Sequence, residues 1–157
     1  MDDAKFFAIA LEEAKKGFSV GGLPIGACLV SKEGEILGQG CNRRVQNGSV
    51  TQHGEMTALE ASSPGTGLPP HAEVYKGATM YSTLLPCVMC TGACLLYGIG
   101  RVVYGSGADQ NLKYDTAKIL QSYGVEVVCL DNKVSEEMMT NWIEGNPERY
   151  EWEPWAD

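Results

Sequence analysis

Two short stretches carry residue types that could do chemistry together. "QHGEMTALEASS", residues 52–63, sets His53 and Glu55 two positions apart at the head of a helix-like run, and "LLPCVMCTGACLL" sets Cys87 and Cys90 at the head of another. Thiolates three apart on a helix share one face and can grip one ion. In the first turn they also gain from the positive end of the helix dipole. Taken alone, Cys87-x-x-Cys90 could equally be a redox dithiol or two core thiols. A lone histidine at a helix start is more often a capping or packing residue than a ligand. The combination changes the balance. A neutral imidazole and two thiolates form a three-ligand set with no net charge around Zn²⁺, and the fourth tetrahedral position is left to water. Zinc brings the pKa of such a water to about 7, and Glu55 is the natural acceptor for its proton.

Composition bounds what such a site could serve. The 157 residues fit one domain, spanning 1–157, with a core large enough to fold alone. The 19 glycines, against a typical ~7%, point to tight turns and close backbone approaches. Net charge is −8, and the 12 Lys and Arg are scattered. Nucleic-acid binders carry a basic face that displaces phosphate counterions, so no polynucleotide partner is expected and a neutral or cationic small molecule suits the balance. No apolar run approaches the ~18 residues that span a bilayer, so no membrane partner is expected either. The start "MDDAKFFAIALEEAKKG" has acids where a signal peptide has bases. The expectation is a cytoplasmic protein whose cysteines (Cys28, Cys41, Cys87, Cys90, Cys94 and Cys129) are reduced.

The elements that must position the two heads can be read in order. Residues 3–16 place Phe6, Ile9, Ala10 and Glu13 at helical spacing, with Asp2 or Asp3 as cap. "IGACLVS" and "EILGQGCN" read as a β-hairpin about "KEG". "RRVQNGSVTQ" is a polar loop, and a helix runs from His53 to about Ser62. "SSPGTGLPPH", with a solvated His71, is a surface loop. "ATMYSTL" is a strand, and Pro86 opens a helix from Cys87 to about Tyr97. "RVVYG", residues 112–123 and "VEVVCL" form a strand–helix–strand unit with a parallel crossover. "SEEMMTNWIEG" is a last helix capped at Ser135 or nearby. Cys28 and Cys129 fall in strands and read as core residues, while Cys94 lies too far down its helix to reach the same ion. The sum is an α/β layer of about five strands with helices on both faces.

His53-Gly54-Glu55 with Pro86-Cys87-Val88-Met89-Cys90 reproduces the H-x-E and P-C-x-x-C signature of the zinc nucleobase deaminases, in which the glutamate is general acid/base and not a ligand. The likeness goes further. "GGLPIGACLV", "CNRRVQNGSVTQHGE", "YSTLLPCVMCTGACLLYGI" and the closing strand–helix units resemble the yeast-type (fungal) cytosine deaminases along nearly the whole chain. The resemblance implies a three-layer α/β/α cytidine-deaminase-like fold with a central mixed sheet, a homodimer, and one zinc per subunit. It implies conversion of cytosine to uracil with release of ammonia. By motif, His53, Cys87 and Cys90 would be ligands and Glu55 the proton shuttle. Asn42 would hydrogen-bond the carbonyl side of the base, the Gly54 N–H would assist it, and Ile25 would wall the pocket. Without the resemblance, Asn42 reads as a turn residue leaving a strand.

Two departures touch the pocket. Leu85 stands before Pro-Cys where that family usually has a small polar residue. The tail, "NPERYEWEPWAD", places an aromatic at Tyr150 and the substrate-closing acid at Glu153, with Glu151 and Asp157 as rivals. A slip of two residues would put Trp152 in the aromatic's place, and a C-terminal segment that only packs is the plainer reading. The expected activity is hydrolytic deamination of a free nucleobase, cytosine first. A purine or pterin deaminase is the alternative within the class, and a Cys-x-x-Cys thiol redox protein is the alternative outside it.

Overall fold

The computed structural model describes residues 2–63, 72–107 and 114–150. The first helix, α1 (Asp3–Ser19), is capped by Asp2, whose carboxylate accepts from the Lys5 N–H at 3.1 Å. It buries Phe6, Phe7, Ala10, Glu13 and Ala14 along one stripe. The hairpin follows as β1 (Gly26–Val30) and β2 (Ile36–Cys41), paired antiparallel. The polar loop after it holds one helical turn, α2 (Arg44–Asn47), and then comes α3 (Gly54–Ala61). Strand β3 (Thr79–Leu84) leads into α4 (Val88–Leu96), and β4 (Arg101–Ser106) into α5 (Thr116–Ser122). Strand β5 (Glu126–Cys129), α6 (Lys133–Gly145) and α7 (Pro147–Tyr150) complete the described chain.

The sheet order is β2-β1-β3-β4-β5. Strand β1 runs antiparallel to both neighbours, whereas β3, β4 and β5 are parallel. Alternation along the strands divides the core into two faces. Ala27, Leu29, Met80 and Val102 pack with Ala58, Leu59, Cys94 and Leu120, under α3, α4 and α5. Cys28, Val30, Tyr81 and Val103 pack with Phe6, Phe7 and Ala10 of α1 on the other side. The result is three layers, α/β/α, as expected. Helix α3 lies close on β2 because Gly38 offers no side chain: a Cβ there would stand 2.2 Å from the Ala58 carbonyl oxygen. Among the described residues, no helix is long and apolar enough to cross a membrane.

Several local expectations shift. Pro86 lies outside α4, one residue before its cap, Cys87. The cap of α6 is Asn132, three residues ahead of Ser135, and its side chain accepts from the Ser135 N–H at 3.0 Å. The polar loop is interrupted by α2, and α5 is shorter than 112–123, starting after Asp115. Cys28 is buried as expected, but Cys129 is exposed. It ends β5, the last strand of the sheet among the described residues. Residues 64–71, with His71, and 151–157, with Glu151, Trp152, Glu153, Trp155 and Asp157, lie outside the described residues.

Candidate active site

Strand direction explains why two helix heads 34 residues apart meet. β2 and β3 are both antiparallel to β1 and so point the same way. The helices that follow them, α3 and α4, therefore begin at the same end of the sheet. His53 and Cys87 occupy equivalent places there, each the extended N-cap residue of its helix. An N-cap side chain ordinarily accepts a hydrogen bond from the first turn, yet neither of these does so. They turn towards each other, with His53 Nδ1 and Cys87 Sγ 3.4 Å apart. Cys90, in the first turn of α4, completes the group: one ligand atom from each of His53, Cys87 and Cys90 lies within 4.8 Å of the others.

The electrostatics match a cation site. The hydrogen bond from Cys90, aided by that of His53, outweighs burial and holds the Cys87 thiol down at about 4, so it is a thiolate at neutral pH. Cys90 is pushed well above the ordinary thiol value, first by that same bond to Cys87 and then by burial. Burial acts to lower His53, but its bond to Cys87 and the thiolate charge prevail and raise it. One imidazole and two sulfurs at this spacing are the soft, compact donor set that zinc takes. Cys94, fully buried one turn on, has its thiol raised chiefly by burial and stays with the core.

Glu55 sits beside this group, only 3% exposed. Burial first, and the Cys87 charge second, raise its carboxyl above the usual range. Its Oε1 accepts a hydrogen bond from Ser82 Oγ at 3.3 Å. Gly54 presses against the Ile25–Gly26 backbone: a Cβ on it would stand 3.1 Å from the Ile25 oxygen. Asn42 is buried, and its backbone N–H donates to that same Ile25 oxygen at 2.8 Å. Its side-chain Oδ1 accepts from the Arg44 N–H at 3.0 Å, which is the turn geometry anticipated for a residue leaving a strand. Asn42, Gly54 and Ile25 are thus joined through one carbonyl. Two residues escaped the sequence reading. Ser82 was legible only as a hydroxyl inside an apolar strand, and Arg44, half-buried and within reach of the Cys87 charge, looked like part of a solvated loop.

A mixed-sheet α/β/α domain with a His/Cys/Cys group and a buried glutamate at paired helix heads has the layout of a candidate metal site of the zinc-deaminase type. Residues 1–106 match the family described as the cytidine and deoxycytidylate deaminase zinc-binding region, and the chain belongs to that family. It is 44% identical to a cytosine deaminase of Candida albicans over 94% of this chain and 93% of that one. It is also 37% identical to a tRNA-specific adenosine deaminase of Streptococcus pyogenes, over 64% of this chain and 60% of that one. The fold matches that of a guanine deaminase from Nitrosomonas europaea with a TM-score of 0.71 at 19% identity, covering 90% of this chain and 84% of that one.

Proposed function

We propose that the protein is a zinc-dependent hydrolase that converts free cytosine and water to uracil and ammonia, as a single domain over 1–157. The observation that carries this reading is the meeting of His53, Cys87 and Cys90 within 4.8 Å, beside a buried Glu55. The 44% identity to a cytosine deaminase along nearly its full length selects the base. A thiol redox pair has no use for His53 and Glu55, so the geometry speaks against that alternative.

His53, Cys87 and Cys90 would hold one zinc per subunit. When bound, the metal supplies Lewis-acid activation of a water for attack on the amino-bearing ring carbon. Glu55 accepts one proton of that water and delivers it to the adjacent ring nitrogen; it then carries the water's second proton, given up as the ring C=O forms, to the departing amine as the C–N bond breaks. Its raised carboxyl value suits a group that must hold a proton between those transfers. With Oδ1 committed to Arg44, the Asn42 amide donates from Nδ2 to the ring carbonyl. The Gly54 N–H assists it, and Ile25 walls the base. Glu153 is the acid assigned to the amino or ring N–H side of the base.

We further propose a cytoplasmic homodimer that associates through the outer face of α4. Val88 and Leu96 are exposed on that helix, Leu96 to 76%, where a second chain would cover them. Light scattering at micromolar concentration should return twice the chain mass.

The activity is tested by ammonia release from cytosine, cytidine, adenine, guanine and a short single-stranded DNA, with zinc measured on the same preparation. Cytosine should be the best substrate, with about one zinc per chain. Faster turnover of cytidine would mean a pocket open to ribose, and preference for guanine would move the protein to the purine branch. A zinc-free preparation that still deaminates would overturn the ligand set.

A further inference from the structure

We propose that Ser82 is the positioning residue for Glu55, fixing its carboxylate for proton transfer through a side-chain hydrogen bond; this rests on the proton-carrying role of Glu55 given above. Strand β3 alternates, with Tyr81 facing α1 and Met80 and Ser82 facing the α3–α4 layer. That face is otherwise apolar here, and Ser82 is fully buried on it. A buried hydroxyl is destabilising unless it finds a partner, and its partner is Glu55 Oε1, at 3.3 Å. The residue opposite on β1 is Ala27, whose small side chain leaves the space between strand and helix to the serine and the carboxylate.

The Cys90 thiol also acts on Glu55, but its one proton is shared with Cys87. A thiol that ligates a metal does so as the thiolate and can no longer donate. The serine hydroxyl, which ligates nothing, is a side-chain donor that Glu55 keeps in the metal-loaded protein. A carboxylate on a flexible two-carbon stem has several rotamers, and proton transfer requires one of them within hydrogen-bond reach of water and base. Ser82 selects that rotamer. Its effect belongs on the rate of the chemical step and not on the grip of the base.

Three variants separate the hydroxyl from its size. Thr and Val have nearly the same shape, and only Thr keeps the donor. Ser82→Ala and Ser82→Val should lower kcat for cytosine roughly tenfold or more, the scale of a hydrogen bond to a charged group. Ser82→Thr should stay within about threefold of the unaltered enzyme, with KM little changed in all three. Zinc content should match that of the parent throughout. Equal activities for Ser82→Val and Ser82→Thr, whether both high or both low, overturn the inference, because size and not the donor would then decide. So would loss of zinc in proportion to loss of rate. Glu55→Gln, assayed beside them, keeps the two questions apart: if it remains active, the proton-carrier reading fails, whereas an inactive Glu55→Gln with a fully active Ser82→Val removes the role of Ser82 alone.

Discussion

The proposed mechanism concentrates the chemistry of the site in one side chain, Glu55, and its substitution gives the most direct check. Gln is nearly isosteric and accepts the same Ser82 hydrogen bond, but it cannot carry a proton. Glu55→Gln should retain zinc and lose about 10²- to 10⁴-fold in kcat, the usual worth of general acid–base catalysis. Turnover near that of the parent would sink the assignment. The candidate ligands and this glutamate were legible as a group because their residue types and spacings are local, each held within one helix start. Asn42 was legible in both of its readings, and the structure supports the turn directly, with Oδ1 on the Arg44 N–H at 3.0 Å. Ser82 was not legible, because a serine in a strand means nothing until the helix above it is known. Cys129 misled for a related reason: strand residues are buried only if something covers them, and the last strand of a sheet has one open edge.

At the scale of elements, the contact between α3 and β2 sets the site. Gly38 lets the helix backbone approach the strand, and a Cβ there would meet the Ala58 oxygen at 2.2 Å and the Ser62 nitrogen at 2.8 Å. Backbone cannot rotate away as a side chain can, so Gly38→Ala must lift the helix and carry His53 and Glu55 with it. Overpacking of this kind typically costs about 1–3 kcal/mol. The expected result is a lower melting temperature together with weaker zinc retention on dialysis. An unchanged zinc content in a destabilised protein would show that the helix head is held independently of its body. Periodicity gave each of these elements its type. It did not give the parallel alignment of β2 with β3, which places both helix heads at one end and which depends on pairings with β1 that no local pattern encodes. The cap of α6 was misplaced by three residues because Asn132 and Ser135 are both good capping types, and only the backbone decides between them.

For the whole molecule, the opposite end of the sheet carries a charge network that ties the start of the chain to the parallel strands. Arg101 on β4 holds both oxygens of Asp3, at 2.6 and 2.9 Å, and its Nε meets Glu126 of β5 at 3.1 Å. The Tyr81 hydroxyl donates to the same Asp3 at 2.7 Å. The hydrogen bond from Arg101, opposed by burial, keeps the Asp3 carboxyl below its usual 3.8. Because the folded value is depressed, the stabilisation is complete above about pH 4 and fades as the pH falls through the lowered folded value. Asp3→Asn should therefore lower stability at neutral pH by about 1–2 kcal/mol, the range for charge-assisted hydrogen bonds discounted for partial exposure. The difference from the parent should shrink below pH 4, where the parent protonates as well. Urea melts at pH 7 and pH 3 measure both. A gap that is constant with pH would assign the effect to packing.

The spacing of His53 and Cys87, 34 positions apart along the chain, has a further consequence once a metal joins them. The ion then acts as a staple that closes a loop of that length and removes its wandering from the unfolded ensemble. A covalent cross-link over a similar loop contributes on the order of 4 kcal/mol by the same entropic argument. Chelation should release this constraint where the staple sits and nowhere else. In amide hydrogen exchange, the first turns of α3 and α4 should lose protection on metal removal, while Leu29, Met80 and Val102 in the middle of the sheet keep theirs. A uniform loss across the sheet would mean that the metal holds the fold as a whole.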